Sequence, residues 1–364
     1  MSEWKKTKLE EVLSFGNGNV KPKIEGTIPI YGGNGILGFG NEFNYNGETI
    51  IIGRVGAYCG SVYFENKPIW ISDNALSAKP KGENNAKFFY YFLKHINLNQ
   101  WAGGSSHPLV TQSLLNSLEF SICINTKTQT AIAAILSSLD DKIDLLHRQN
   151  ATLEKMAETL FRQWFIEEAK EREKTKIGLV LETVLGGTPS TKKPEYWDGT
   201  IPWINSGEVN NFRILKPTKF ITELGLAESN TKLLPIGTTV LAITGATLGQ
   251  ISLLEISTCA NQSVVGIIPN ETYPKEYVFL WIKYMIDEII LNETGGAQPH
   301  INKNDVNETE ILVPCNDDLE FIESKIKPLF KKISINSFQI NTLIELRDSL
   351  LPKLMSGEIT VNQG

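Results

Sequence analysis

The chain has 364 residues, of which 41% are hydrophobic and 21% are charged, and its formal net charge is −6. This composition excludes a disordered tail, and the absence of an apolar run of roughly 18–20 residues excludes a membrane bundle. The length is that of about two globular domains. Because the start of the chain lacks signal-peptide features, we expect a cytoplasmic protein with no membrane association.

Four cysteines and four histidines are scattered along the chain. They form no C-x-x-C or H-E-x-x-H motif, and the cysteine spacing fits no disulfide framework. We therefore predict no metal site and expect reduced cysteines that serve in packing.

The negative charge is concentrated in one segment. Residues 177–316 contain 9 basic and 15 acidic residues, whereas residues 1–125 contain 11 basic and 10 acidic ones. Proteins that bind nucleic acid on their own usually have a basic surface. A DNA-binding role for this chain would therefore require positive charge from a partner.

The sequence matches itself at a shift of about 190 residues. Near the start of the halves, Gly26-Thr27-Ile28-Pro29-Ile30 corresponds to Gly199-Thr200-Ile201-Pro202-Trp203. Further on, Thr49–Ile52 and the glycine-flanked turn after it correspond to Thr238–Leu241 and its turn, at a constant shift of 189. The matches keep their order along the chain, which predicts a duplicated domain.

Each half combines short β-branched runs with one apolar helix and a final strand. In the first half we predict strands at 49–53, 61–64 and 118–124 and a helix at 86–96. In the second half we predict strands at 238–243, 250–254 and 310–313 and a helix at 275–289. The predicted fold class is therefore α+β, with two repeated α/β domains separated by two long helices.

A heptad pattern follows each predicted domain. In the first, apolar a and d positions run from Ile132 to Trp164 and only Asn150 is polar, with a capping-box pattern Thr126-x-x-Gln129 in front. In the second, the pattern runs from Ile322 to Leu354, and Asn336 is one of its polar positions. Pro328 is expected to bend this second helix or to mark its effective start.

Neither helix can bury such a stripe alone, so we predict that the two form an antiparallel coiled coil. Aligning the stripes places Ile132 opposite Leu354 and Asn150 opposite Asn336. We expect the two asparagines to hydrogen-bond and fix the helix register, the alternative being that they face solvent or a partner. A helix of this length, about 50 Å, suits two short sites roughly one DNA turn apart.

Several runs carry a family resemblance in combination with the duplication. They are Ile135-Leu136-Ser137-Ser138-Leu139-Asp140-Asp141-Lys142-Ile143, Leu160-Phe161-Arg162-Gln163-Trp164-Phe165, and the ending from Leu346 to Ile359. With these runs, the whole chain resembles the DNA specificity subunits of type I restriction–modification systems. Gly187-Thr188-Pro189-Ser190 is similar to the opening of the family's recognition domains, whereas the first half has Gly16-Asn17-Gly18-Asn19 instead.

On this basis we predict five segments. They are target-recognition domain 1 (residues 1–125), a central long helix and linker (126–176), target-recognition domain 2 (177–316), a C-terminal long helix (317–357) and a tail (358–364). The resemblance implies that each recognition domain reads one half of a split target in double-stranded DNA. It also implies that the helices set the spacer and dock two methyltransferase subunits, and that two restriction subunits can join the complex.

The resemblance further implies a noncatalytic subunit. The chain has no Asn-Pro-Pro-Tyr-like adenine-methylation motif and no G-x-x-x-x-G-K-[ST] phosphate loop. We therefore expect S-adenosylmethionine, ATP and Mg to bind the partner subunits and no cofactor to bind this chain. The adjacent acids Asp140-Asp141 and Asp317-Asp318 point about 100° apart on a helix, so we interpret them as helix-face or capping acids.

Residues in polar or glycine-containing turns are the candidates for DNA contact, because such turns allow close backbone approach and present donors to bases or phosphates. In the first half they are Lys21, Lys23, Arg54, Tyr58, Ser105, Ser106 and His107. In the second half they are Lys192, Lys193, Tyr196, Thr247, Gln298 and His300. The alternative for each is a solvated turn residue.

Two other function classes stay open from the sequence. One is a DNA-independent scaffold whose two domains bind protein or glycan. The other is a self-contained nuclease, for which no acidic-plus-lysine cluster is visible.

Overall fold

The structure is a computed structural model that describes residues 3–103, 108–168, 172–291 and 300–361. The chain divides into two compact units, which are Met1–Asp144 with Thr342–Gly364, and Leu145–Asn341. We call them the first and the second unit. Each unit contains one of the repeated α/β domains together with parts of both long helices.

The described part of the first unit has nine strands, arranged in sheets of order β2-β8-β5-β6, β4-β3-β7 and β1-β9. The strands are β1 (Trp4–Lys8), β2 (Leu13–Asn17), β3 (Glu25–Gly32), β4 (Gly35–Gly40), β5 (Glu48–Gly53), β6 (Val62–Asn66), β7 (Trp70–Ile71), β8 (Ala75–Pro80) and β9 (Glu119–Cys123). The helices are α1 (Leu9–Val12), α2 (Ala86–His95), α3 (Gln112–Ser117) and α4 (Thr126–Arg162), the last of which continues into the second unit.

The core of the first unit follows from its β-branched and aromatic runs. Ile50 and Ile52 of β5 are fully buried against the apolar face of α2. Helix α2 begins after Asn85, whose side chain accepts a hydrogen bond from the Phe88 backbone N–H at 2.9 Å. The predicted strands 49–53, 61–64 and 118–124 and the helix 86–96 are thus confirmed as β5, β6, β9 and α2.

The described part of the second unit has sheets of order β11-β19-β16-β17-β13, β14-β12-β18-β15 and β10-β20. The strands are β10 (Lys174–Lys176), β11 (Glu182–Leu185), β12 (Trp197–Ile204), β13 (Arg213–Ile214), β14 (Lys219–Ile221), β15 (Leu233–Leu234), β16 (Thr239–Ala242), β17 (Ile251–Leu254), β18 (Thr258–Ala260), β19 (Val264–Ile268) and β20 (Glu310–Leu312). The helices are α5 (Ile177–Val180), α6 (Glu223–Ala227), α7 (Lys275–Ile290), α8 (Lys303–Glu308), α9 (Asn316–Phe321) and α10 (Lys327–Ser356). The predicted elements of this half are confirmed as β16, β17, β20 and α7.

The two units repeat one topology. The order β2-β8-β5-β6 of the first unit corresponds to β11-β19-β16-β17 of the second, and β4-β3-β7 corresponds to β14-β12-β18. Individual backbone bonds also repeat: the N–H of Gly53 donates to Ser61 at 2.8 Å, and the N–H of Ala242 donates to Gln250 at 2.9 Å. The duplication seen in the sequence is therefore a duplication of the hydrogen-bond pattern.

Helix α4 begins at Thr126, but its cap differs from the prediction. The Asn125 side chain accepts two backbone N–H groups of the first turn, at 3.0 and 3.3 Å. Gln129 is fully buried and donates to the Cys123 carbonyl at 2.8 Å. The predicted capping box of Thr126 and Gln129 is wrong, because the preceding asparagine already provides the cap.

Within the first unit, the start of α4 runs antiparallel to the end of α10. Ile132 and Leu354 lie in one buried apolar cluster, and Arg347 Nη1 lies 2.8 Å from Asp140 Oδ1. The two residues predicted to lie opposite each other, Ile132 and Leu354, thus belong to the same core cluster.

Within the second unit, the remaining parts of the two long helices also run antiparallel. Asn336 Nδ2 donates to Asn150 Oδ1 at 2.9 Å, and the ring of Trp164 stacks on Phe321 with centroids 4.3 Å apart. A π-helical turn ends α4 at Gln163–Glu167, and another precedes α10 at Ile322–Ile326. Pro328 follows the second π-helical turn and has no backbone N–H to donate. Regular α-helical hydrogen bonding is therefore interrupted before it, and α10 begins at Lys327.

No helix in the described ranges combines the length and the apolar character needed to cross a bilayer.

Candidate nucleic-acid interface

Four loops of the first unit meet at the end of β5. The N–H of Arg54 donates to the Asn74 carbonyl at 3.0 Å, and Val55 forms a β-bridge with Leu109. A Cβ on Gly33 would lie 3.4 Å from both the Asn74 and the Val55 carbonyl oxygens, so the β3–β4 turn packs against the backbone of these two turns. We call this surface, made by residues 32–35, 54–58, 74, 103 and 109, the first loop surface.

Glycines allow these loops to approach each other closely. A Cβ on Gly53 would lie only 2.5 Å from the Tyr58 carbonyl oxygen and 2.6 Å from that of Gly33. Gly56 has a φ of 78°, in the region that strongly favours glycine, and its Cα faces open space. The turn after β5 is therefore rigidly held at its base and open at its tip.

Arg54 and Tyr58 lie on this open turn. The backbone of Arg54 is held on both sides, since its carbonyl also accepts the Val110 N–H at 3.0 Å. Its Nε is buried without a hydrogen-bond partner, and the guanidinium has no ion pair among the described residues. Tyr58 is more than half exposed. The turn thus presents the Tyr58 phenol to solvent and holds a half-buried arginine whose Nε lacks a hydrogen-bond partner.

The other candidates of the first unit are placed differently. Lys21 and Lys23 are exposed and line a groove with Ile24, Leu37 and Phe39. Ser105, Ser106 and His107 lie outside the described residues, although the chain on either side of them, at Gly103 and Leu109, is bridged at the first loop surface.

The second unit builds an equivalent surface after β16. The N–H of Ile301 donates to the Ile243 carbonyl at 3.1 Å, and Thr244 forms a β-bridge with His300. The turn Ser206–Asn210 contacts the turn Gly245–Thr247. We call the surface made by Ser206–Asn210, Thr244–Thr247 and His300 the second loop surface. Of the predicted residues it brings Thr247 and His300 together, whereas Gln298 lies outside the described residues.

Lys193 and Tyr196 are engaged with Glu228 rather than presented together at a surface. Tyr196 is buried and its hydroxyl donates to Glu228, while Lys193 Nζ lies 3.6 Å from that carboxylate. The hydrogen bond from Tyr196 lowers the pKa of Glu228, and the bond between Lys193 and Tyr196 raises the pKa of the lysine. The aromatic ring of Tyr196 therefore lies inside the domain, while Lys192 is exposed.

The two loop surfaces share a backbone and differ in side chains. Arg54 and Ile243 occupy the same position, since their N–H groups donate to Asn74 and Ser263 across the same pair of turns. At the tip of the turn, Tyr58 in the first unit corresponds to a threonine in the second. Such an arrangement can present two different sets of contacts on one framework.

One acid of each adjacent pair makes structural contacts in the described part of the chain. Asp140 accepts a hydrogen bond from the Tyr91 hydroxyl at 2.7 Å, and burial raises the pKa of that tyrosine. Asp318 is fully buried, accepts from Trp164 Nε1 at 2.8 Å and lies 2.8 Å from the Arg172 guanidinium. No group of three His, Cys, Asp or Glu side chains in the described ranges could hold a metal ion.

Asn34 and Asn74 belong to the first loop surface and were not singled out from the sequence. Both are exposed, next to the two turns that flank Arg54. The run Gly32-Gly33-Asn34-Gly35 is a hairpin-turn signal that could have identified Asn34. Asn74 lies in a short turn that has no comparable pattern.

Comparison with known proteins agrees with this architecture. A type I restriction enzyme specificity subunit (MjaIX) of Methanocaldococcus jannaschii is 25% identical over 329 residues, covering 84% of this chain and 76% of that protein. The HindI specificity subunit of Haemophilus influenzae is 24% identical over 332 residues, covering 69% of this chain and 71% of that protein. The crystal structure of a type I restriction–modification S subunit from M. genitalium matches with a TM-score of 0.66 at 19% identity, covering 99% of this chain and 97% of that one.

A family model also matches most of the chain. The model of the type I restriction modification DNA specificity domain matches residues 1–155 and again residues 169–346. The two matches coincide with the duplicated topology, and they confirm the resemblance drawn from the sequence. The chain belongs to the type I restriction–modification DNA specificity family.

Proposed function

We propose that the chain is a noncatalytic subunit that selects the DNA target of a type I methyltransferase and restriction complex. The first and second loop surfaces each read one half of a split target in double-stranded DNA. The long helices set the spacer between the half-sites and dock two methyltransferase subunits, and two restriction subunits can join. This role places the protein in the cytoplasm.

The observation that carries this proposal is the paired loop surface. Both units fix the same turns with the same backbone bonds, yet Arg54 of one corresponds to Ile243 of the other. An arginine can read guanine through two hydrogen bonds, whereas Ile243 is buried in the core of the second unit and offers no base contact. At the exposed tip of the turn, Tyr58 of the first unit corresponds to Thr247 of the second. Duplicated frameworks with different side chains are what reading two different half-sites requires.

The charge supports dependence on partners. The segment that contains the second recognition domain has 15 acidic against 9 basic residues, an unfavourable balance for holding a polyanion. The methyltransferase subunits would supply the missing cations. They would also bind S-adenosylmethionine, while ATP and Mg would be bound by the restriction subunits.

The test is to co-express the chain with its cognate type I methyltransferase subunit and to map methylated adenines across the host genome. The proposal predicts methylation at one split motif of two short half-sites with a fixed spacer. A control expresses the methyltransferase alone and should show no such motif. Absence of sequence-dependent methylation and of DNA retention by the complex would refute the proposal and favour a DNA-independent interaction scaffold.

A further inference from the structure

Both units contain the same bulged pair of antiparallel strands, β3–β4 in the first unit and β12–β14 in the second, and we call each pair a hairpin. In the first unit, only the turn of the hairpin, residues 32–35, belongs to the loop surface. In the first unit Pro29 of β3 lies opposite Phe39 of β4, and in the second Pro202 of β12 lies opposite Phe220 of β14. In each hairpin the strand register shifts just before that pair. The two phenylalanines therefore occupy equivalent positions.

A glycine makes the bulge possible in each hairpin. A Cβ on Gly26 would lie 2.3 Å from the Gly40 carbonyl oxygen, and one on Gly199 would lie 2.4 Å from the Ile221 carbonyl oxygen. Any larger residue would push the strands apart. The recurring run Gly-Thr-Ile-Pro is thus explained by this hairpin, and its recurrence preserves the position of the phenylalanine.

The two phenylalanine rings are exposed. The exposed fraction is 54% for Phe39 and 39% for Phe220. In the first unit, the groove beside Phe39 adds the apolar side chains of Pro22, Ile24 and Leu37. Exposed aromatic and aliphatic side chains that line one groove are typical of a protein–protein interface, where aromatic residues dominate the binding energy.

The equivalence of the two hairpins indicates what they bind. Features that differ between the loop surfaces can read different half-sites, whereas a feature that is the same in both units should bind something present twice. In the proposed complex, this is either the DNA backbone or a pair of identical subunits. A phenyl ring offers no hydrogen-bond donor to a phosphate, which argues against the DNA backbone. Phe39 also lies four residues along β4 from the β3–β4 turn, which is roughly 13 Å at a strand rise of about 3.3 Å per residue.

We propose that Phe39 and Phe220 are anchor residues for two copies of one protein partner, the methyltransferase subunit, with one copy on each hairpin. This inference rests on the proposed function. The partner's site should be an apolar pocket with an acidic rim, because Lys21 and Lys23 border the groove of Phe39 and Lys219 precedes Phe220. Among the described residues that line the groove, Glu25 is the one acid.

The experiment uses the full chain with the purified methyltransferase and variants Phe39→Ser, Phe220→Ser and the double variant. Phe43→Ser is the matched control, because Phe43 is 53% exposed in the first unit but does not line the groove. Binding is titrated by native mass spectrometry, which counts bound methyltransferase copies. Each single variant should weaken one of the two copies at least tenfold, the double variant both, and the control neither. Circular dichroism should show unchanged folding in all four variants.

Each outcome decides the inference. If the double variant binds two copies as tightly as the original chain, the hairpins are not the anchors, while the proposed function stands. If the variants reduce DNA affinity of the chain alone but leave methyltransferase binding unchanged, the hairpins contact the duplex and the inference is overturned. If the original chain binds no methyltransferase, both the inference and the proposed function fail.

Discussion

Replacing Asn150 by leucine tests the buried contact between the two long helices within the second unit. Asn336 is fully buried, and its Nδ2 donates to Asn150 Oδ1 at 2.9 Å. Asn150 Nδ2 in turn donates to Ser337 Oγ at 3.2 Å. The Asn336 Oδ1 has no hydrogen-bond partner among the described residues, so this asparagine is already incompletely satisfied.

The loss of unfolding free energy on substitution depends on which buried polar atoms lose their hydrogen-bond partners. Asn150→Leu leaves the Asn336 amide with only the long 3.5 Å contact to Gln149. A buried polar group that loses its partner costs about 1–3 kcal/mol, and we expect about 2 kcal/mol here. Asn336→Leu should cost less, because it removes an oxygen that is already unpaired. The double leucine variant removes both amides and should be close to neutral or stabilising, as found when both partners become apolar.

Thermal unfolding of the four proteins forms a double-mutant cycle. The expected coupling free energy is about 2 kcal/mol in favour of the double variant, and Tm of Asn150→Leu should fall by roughly 4–8 °C. The exposed Arg148→Leu serves as a control for adding an apolar residue to the same turn without touching the asparagine pair. If the effects of the two single substitutions simply add, the asparagines do not act as a pair, and the assigned role in helix register is refuted.

Three further predictions concern the recognition surface, a buried carboxylate and pH. Arg54→Ile gives the first turn the residue that the second unit has at this position. It should change the base preference in one half-site only and reduce the binding free energy for the original base by about 1–3 kcal/mol. Competition binding of the complex to half-site variants measures this loss. Changes in both half-sites would contradict the assignment of Arg54. Asp318→Asn should lower stability by about 3 kcal/mol, or Tm by roughly 6–12 °C, because it leaves Arg172 unpaired, whereas the exposed Asp317→Asn should have little effect. Equal Tm values for the two variants would refute the ion pair's contribution. Burial raises the pKa of Glu276 above its ordinary value of 4.5, so the folded state is favoured below pH 4.5 and this contribution is lost as pH rises through the raised pKa. Glu276→Gln should therefore raise Tm at pH 7 and leave it unchanged near pH 4, and a lower Tm at pH 7 would contradict this sign.

The elements with strong periodicity were predictable from the sequence. The run Ile50-Ile51-Ile52 reads as a buried strand in any context, and the heptad steps placed Asn150 opposite Asn336 because coiled-coil geometry depends on spacing alone. Both are local or regular features, which a single sequence can encode.

Features that depend on distant partners were not predictable. Tyr196 is predicted to be a turn residue that contacts DNA, whereas its side chain is buried and its hydroxyl donates to Glu228, 32 positions away. The equivalence of Phe39 and Phe220 is hidden because their separation is 181 residues rather than 189, since the two hairpins have connections of different length. The cap of α4 moved by one residue because Asn125 and Thr126 are both good capping residues.

The central claim is that each recognition domain reads one half of the target independently. Its most direct test replaces residues 1–125 with the corresponding domain of a relative, co-expresses the chimaera with the methyltransferase and maps methylated adenines by single-molecule sequencing. The account predicts a new sequence in one half-site, with the other half-site and the spacer unchanged. A methylome in which both half-sites change, or in which the stably assembled chimaera keeps the original motif, would contradict it.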